Sequence, residues 1–164
     1  NKAGYIIHSA IHAARKDDLH CVMHTHEPIS QTMCSVEEKF VPMVQEACQL
    51  YERVGYHEFE GIVLDSSEKE RMIKALGKKN HTLVLKNHGL LTAGPSAIWA
   101  FVRHQIFIRN SDIQLRALSS GAKLSQIPIA VIEHTREQFE GGSAQAGAEV
   151  RHPEWPAFFR LLNK

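Results

Sequence analysis

The chain's 164 residues suffice for one domain with a real core, and its 43% hydrophobic and 23% charged content is that of a soluble globular protein. A formal net charge of +1 argues against a nucleic-acid or acidic-membrane partner, and no apolar run approaches the ~20 residues of a membrane span. Cys21, Cys34 and Cys48 are odd in number and lack C-x-x-C spacing, so they read as reduced thiols of a cytoplasmic protein rather than a disulfide framework.

Taken in order, Ile7, Ala10, Ile11 and Ala14 predict a helix over 5–16, ended by Asp17 and Asp18. Leu19 to His24 reads as a short buried strand running into His24-Thr25-His26. Glu27-Pro28 opens a helix that continues through Met33, since proline suits a first turn. A polar loop over 35–40 precedes Val44, Ala47, Cys48 and Tyr51, which have helical spacing. Val54 to Phe59 reads as a strand, with 61–64 its continuation or a turn. Asp65-Ser66-Ser67-Glu68 starts a helix carrying Met72, Ile73 and Leu76 on one face and stopping at Gly77.

A strand over Thr82–Lys86, a corner at Asn87-His88-Gly89 and a second strand over Leu90–Ala93 follow. After the Gly94-Pro95-Ser96 turn, the longest helix spans about 97–118, with Ile98, Phe101, Val102, Gln105, Ile108, Asp112, Leu115 and Leu118 as its stripe. The tail is polar over 119–126 and small and linker-like over 141–147. A closing helix near Pro153, with Trp155, Phe158, Phe159 and Leu162 apolar, is expected to dock on the body or on a neighbouring subunit. Several strand links are too short for parallel crossovers, which predicts a mainly antiparallel or mixed sheet covered by helices.

The chemistry concentrates in the histidines, of which there are eleven. Residues i and i+2 of a strand share a face, so His24 and His26 can lean into one pocket. His88 ends another apolar strand. Three imidazoles would leave one position of a tetrahedral Zn2+ open, as catalytic sites require, and Fe2+, Co2+ or Mn2+ also suit imidazole. The bland alternative puts His88 beneath a turn, donating to a carbonyl. A metal held there could polarise a carbonyl and stabilise an enolate or enediolate, or activate a water. Either task needs a proton acceptor, and Glu27, Glu58 and Glu60 are candidates. Glu27 also reads simply as a helix-start carboxylate favoured by the helix dipole. His8 and His12 share a helix face and read as a surface beside the pocket or a second ligand pair.

Four motifs occur together and in order: Ala3-Gly4-Tyr5-Ile6-Ile7-His8 through Arg15, His24-Thr25-His26, Gly55-Tyr56-His57-Glu58-Phe59-Glu60-Gly61, and Lys86-Asn87-His88-Gly89-Leu90-Leu91. Over roughly residues 1–120 the chain thereby resembles the class II aldolase/adducin family. The resemblance implies a three-layer α/β/α domain around a mainly antiparallel sheet, with His24, His26 and His88 matching the family's three zinc-binding histidines. It implies a ring tetramer with sites between subunits, and retro-aldol, epimerase or decarboxylase chemistry. Gly4 stands where the aldolases carry a metal-binding glutamate, which is closer to the adducin branch, whose members keep the histidine motifs and act as cytoskeletal scaffolds. Tyr5, Tyr51 and Tyr56 are the only tyrosines, so the tail lacks the one that aldolases send into a neighbour's site.

Two functions are therefore expected. One is a cytoplasmic, homo-oligomeric, metal-dependent carbon–carbon lyase acting on a small hydroxy or keto acid or sugar-derived substrate, with Glu27 as proton carrier. The other is a non-catalytic adducin-like scaffold. The expected organisation is a domain over 1–120, whose N-terminal part lies upstream of Asn1, and a C-terminal extension over 121–164.

Overall fold

Four short apolar segments build the sheet of the computed structural model, which describes residues 2–62, 67–145 and 155–161. They are β1 (Cys21–Thr25), β2 (Val54–His57), β3 (Thr82–Leu85) and β4 (Gly89–Gly94), in the spatial order β1–β4–β3–β2. β3 and β4 form a hairpin in which Leu85 faces Gly89, and β4 pairs antiparallel with β1, His24 opposite Leu91. β2 joins β3 in parallel, and the chain between them contains the crossover helix α3 (Ser67–Leu76) that a parallel link requires. The sheet is thus mixed and predominantly antiparallel.

Both faces are covered. Leu83, Leu85 and Leu91 meet Ile7 and Ile11 of α1 (Lys2–Ala14) and Met72 and Leu76 of α3. The alternate residues Val84 and Leu90 turn to the other side, against Met33 of α2 (Pro28–Cys34), Leu50 of the 3-10 helix Gln45–Leu50, and Val102 and Phe107 of α4 (Ala97–Ser119). Every residue of β3 and β4 is buried, as strands between two helical layers must be. The three-layer α/β/α architecture follows. At Gly55 of β2 an added Cβ would lie 2.2 Å from the Ala75 carbonyl oxygen, so only glycine lets α3 seat this closely.

Several elements depart from the expected ones. The buried face of α4 carries Trp99, Ala100, Val102, His104, Ile106, Phe107, Asn110, Ser111 and Gln114, and of the predicted stripe only Val102 is fully buried. The cause is polar. Asn110 accepts from the Met43 N–H at 2.8 Å and donates to the Val41 carbonyl at 2.9 Å. Gln114 accepts from the Val41 N–H at 2.9 Å and donates to the Lys39 carbonyl at 2.8 Å. Two side-chain amides thereby satisfy a loop that has no ladder of its own, and hydrophobic periodicity is blind to that role.

The helical spacing over 41–51 yields only the short 3-10 helix, and β2 stops at His57 rather than Phe59. Helix α5 (Ile129–Gln145) was not legible as such: Ile132, Thr135 and Phe139 are helically spaced, and the helix runs on through part of the expected linker, Gly141 included. A helix already nucleated over three turns tolerates small residues at its end. Its Glu140 accepts from Arg53 at 2.9 Å. The closing helix α6 (Trp155–Leu161) docks on α4 within the chain, with Phe158 and Trp155 edge-on to Phe101 at ring distances of 5.3 and 5.9 Å. The expectations for 63–66, 146–147, Pro153 and Leu162 lie outside the described residues. Among the described residues no helix is long and apolar enough to cross a membrane.

Candidate metal centre

The β-strand period brings the first two histidines together. His24 and His26 project to one side where β1 ends, and their Nε2 atoms are 3.0 Å apart. The β3–β4 hairpin supplies the third. Its three-residue loop, Lys86-Asn87-His88, closes with Asn87 at φ 54°, the left-handed conformation that asparagine tolerates. Helix α2 clamps that corner: the Asn87 N–H donates to the Cys34 carbonyl at 2.8 Å, and Gln31 donates to the His88 carbonyl at 3.2 Å.

The three rings stand edge-on to one another, at centroid distances of 4.8 to 4.9 Å and interplanar angles of 74 to 81°. One nitrogen from each lies within 4.8 Å of the others. A tetrahedral ion with bonds of ~2.05 Å holds its ligand nitrogens roughly 3.3 Å apart, so this donor set fits one after small ring rotations.

Protonation favours the same reading. His24 Nδ1 sits 3.0 Å from the Leu90 carbonyl oxygen, to which it can only donate, and that bond fixes the tautomer with a lone pair on Nε2. Burial lowers His24 to about 4, against the opposing Leu90 bond, with the charges of His88, His26 and His8 adding to the fall. Burial and then His26 lower His88 as well. Both imidazoles are therefore neutral at pH 7, with lone pairs available to a cation.

Glu27 takes the capping role of its two sequence readings. It is the N-cap of α2, and its carboxylate accepts from the Ile29 and Ser30 N–H groups at 3.1 and 2.8 Å. Glu27→Ala is expected to lower stability by about 1 kcal/mol in urea unfolding, and an unchanged midpoint would count against the cap. Glu58 is exposed and lies 3.5 Å from Lys86, whereas Glu60 pairs with Arg71 and lies 3.9 Å from His57. His8 lies on α1 and adds to the charge felt by His24, but it is not among the three clustered nitrogens. Around Gly4 an added Cβ would meet nothing within 4 Å, so α1 has room for a larger side chain at that position.

Two buried polar groups near the site went unassigned in the sequence. His57 meets the buried carboxylate of Glu68 at 3.2 Å, and both groups are close enough to His88 to act on its protonation. On the opposite face of β1, Thr25 and Thr92 hold His104 at 2.6 and 3.1 Å. Alternation did point Thr25 away from its two histidine neighbours, but the partner on α4 lies 79 residues along the chain.

The chain is similar to known proteins along most of its length. The family model described as the class II aldolase and adducin N-terminal domain matches residues 1–115. A Pseudomonas aeruginosa protein named "Putative aldolase class 2 protein" is 34% identical over the whole chain, and the chain spans 62% of that relative's length. Rat alpha-adducin is 39% identical over 120 residues, which are 73% of this chain and 16% of that protein. Among solved structures, an aldolase II superfamily protein from Pseudomonas syringae is 41% identical with a TM-score of 0.77, covering 84% of this chain and 55% of that one. The L-fuculose 1-phosphate aldolase of Glaciozyma antarctica, 24% identical with a TM-score of 0.71 over 93% of this chain and 62% of that one, shares the fold.

Proposed function

Because the chain belongs to the class II aldolase and adducin family, we propose that it binds one divalent metal through His24, His26 and His88 and acts as a carbon–carbon lyase on a small oxygenated substrate. The observation that carries this reading is the convergence of three imidazole nitrogens from two chain segments, with His24 locked in the metal-ready tautomer. Three protein ligands leave room for a substrate oxygen. Zn2+ suits the donor set, with Fe2+, Co2+ or Mn2+ as alternatives. Bound there, the metal supplies Lewis-acid polarisation of a carbonyl.

The chain's own residues do the rest. The Leu90 carbonyl orients His24, α2 holds the His88 corner, and Glu27 is the proposed proton acceptor, its carboxylate fixed in place by two N–H donors. The substrate is a hydroxy or keto acid or a sugar derivative. The protein is proposed to work as a homo-oligomer, tetrameric as the family resemblance implies, and the large exposed side chains of Tyr5 and Ile62 support a subunit contact.

One observation favours a second reading, an adducin-like scaffold without catalysis: position 4, where the family resemblance implies a metal-binding glutamate, is a glycine and carries no carboxylate. Elemental analysis of untagged protein, followed by turnover assays on hydroxy acids and sugar phosphates, separates the two. About one metal per chain, lost in His88→Ala together with turnover, is the expected result. Metal without turnover supports the scaffold, and no metal, even after adding it, overturns the triad.

A further inference from the structure

The two ends of the sheet differ in charge. The triad sits where β1 ends and β4 begins, whereas Leu19, His20, His81 and Pro95 flank the same strands at the other end and open on a cleft of about 910 Å³. Five lysines and arginines line it against three carboxylates. Two of the cations are already engaged. Arg15 donates to the Gly77 and Asn80 carbonyls, each at 2.9 Å, and pairs with Asp18. Arg53 pairs with Glu140 at 2.9 Å.

Arg103 is different. It donates to the Ala93 carbonyl at 2.6 Å and lies 5.4 Å from the centre of the Trp99 ring, and among the described residues no carboxylate lies within ion-pair reach of it. Burial drops its guanidinium to about 10, and the charges of Arg15 and Arg53 oppose the help it gets from Asp18 and Glu140. The same three guanidiniums act on His81, already held well below its ordinary value by burial, so they converge on one floor. Lys78 and Lys79, both exposed, stand at the rim just past the left-handed Gly77. A partly desolvated cation without a counterion is costly, and a mobile anion is what relieves it.

We propose that this cleft is a binding site, separate from the histidine triad, for a small anion bearing two or more phosphate groups, held by Arg103, Lys78 and Lys79. Multiple phosphate oxygens can take the forked donors of Arg103 and the point charges of the rim at once, which a single carboxylate cannot. Trp99 and Phe139 supply an apolar wall for an organic remainder.

Calorimetric titration with inorganic pyrophosphate tests this. The expected result is one saturable site per chain, weakened at least about tenfold by Arg103→Gln and by the surface pair Lys78→Gln/Lys79→Gln, the loss of at least one charge-assisted bond in each case. The rim pair carries the test if Arg103→Gln does not fold. His88→Ala and the remote, exposed Arg116→Gln leave binding unchanged. ADP displacing pyrophosphate identifies an esterified ligand, and ADP failing to displace it a free one, and either supports the site. No saturable binding, equal weakening by Arg116→Gln, or loss with His88→Ala overturns it.

Discussion

Gly89→Ala is expected to destabilise the protein by roughly 2–3 kcal/mol and to abolish metal uptake at the triad, from the addition of a single methyl group. A Cβ on Gly89 would stand 2.6 Å from the Thr25 carbonyl oxygen, 2.9 Å from His26 Cδ2 and 3.2 Å from His24 Cε1. The first of these is backbone in a paired strand, with Thr25 opposite Leu90, so it cannot rotate away. Either β1 separates from β4 or the two imidazoles are displaced. Both outcomes damage a ligand set that tolerates errors of only a few tenths of an ångström. Urea unfolding of metal-free protein reads the first effect and zinc titration the second. An unshifted midpoint with full zinc stoichiometry would show that β1 is not held where the hairpin packs on it.

Acidification is expected to cost about 3 kcal/mol of stability through His104 alone, between pH 6.5 and 4. Burial lowers this imidazole to about 4, against an opposing pull from Glu27. The hydrogen bonds explain the preference for the neutral form. Thr92 spends its hydroxyl hydrogen on the Ala100 carbonyl at 2.8 Å, so it accepts from His104 Nδ1. Nε2 is then a lone pair receiving the Thr25 hydroxyl at 2.6 Å, and a proton there would meet a donor.

The sign follows. Below about 6.5 the unfolded imidazole takes up a proton that the folded one refuses down to about 4, so stability is full above that window and falls as the pH drops through it. His104→Gln removes the titration while keeping a polar side chain. The total loss of stability across this window should shrink by about 3 kcal/mol in that variant, measured by urea unfolding at several pH values. An identical slope in both proteins would mean that His104 is protonated in the fold.

Much of the site was legible without a structure because its signals are local. Strand alternation alone put His24 and His26 on one face, and the Asn87-His88-Gly89 corner announced a turn after an apolar run. The order of four motifs then carried the family and the three-layer fold. The α4 stripe was misread because the helix buries His104, Asn110 and Gln114 to satisfy distant backbone and hydroxyl groups, and an apolar count treats such residues as surface. The α5 helix was passed over because glycine and serine near its end resemble a linker when composition is read alone.

Local chemistry, then, determined which residues are the candidates: a period of two for the histidine pair, a corner after an apolar run for His88, an acidic helix start ahead of Pro28. Distance was what the sequence could not supply. Tertiary packing decided that a His88 nitrogen comes within 4.8 Å of those of His24 and His26, and that Gly89 must be glycine because a Cβ there would run into the Thr25 carbonyl oxygen. It also set Arg103 beside Arg15 and Arg53 at the far end of the same strands. Each of these depends on how strands pair and helices seat. Those choices are made by burying the whole apolar surface at once, not by any segment's own preference.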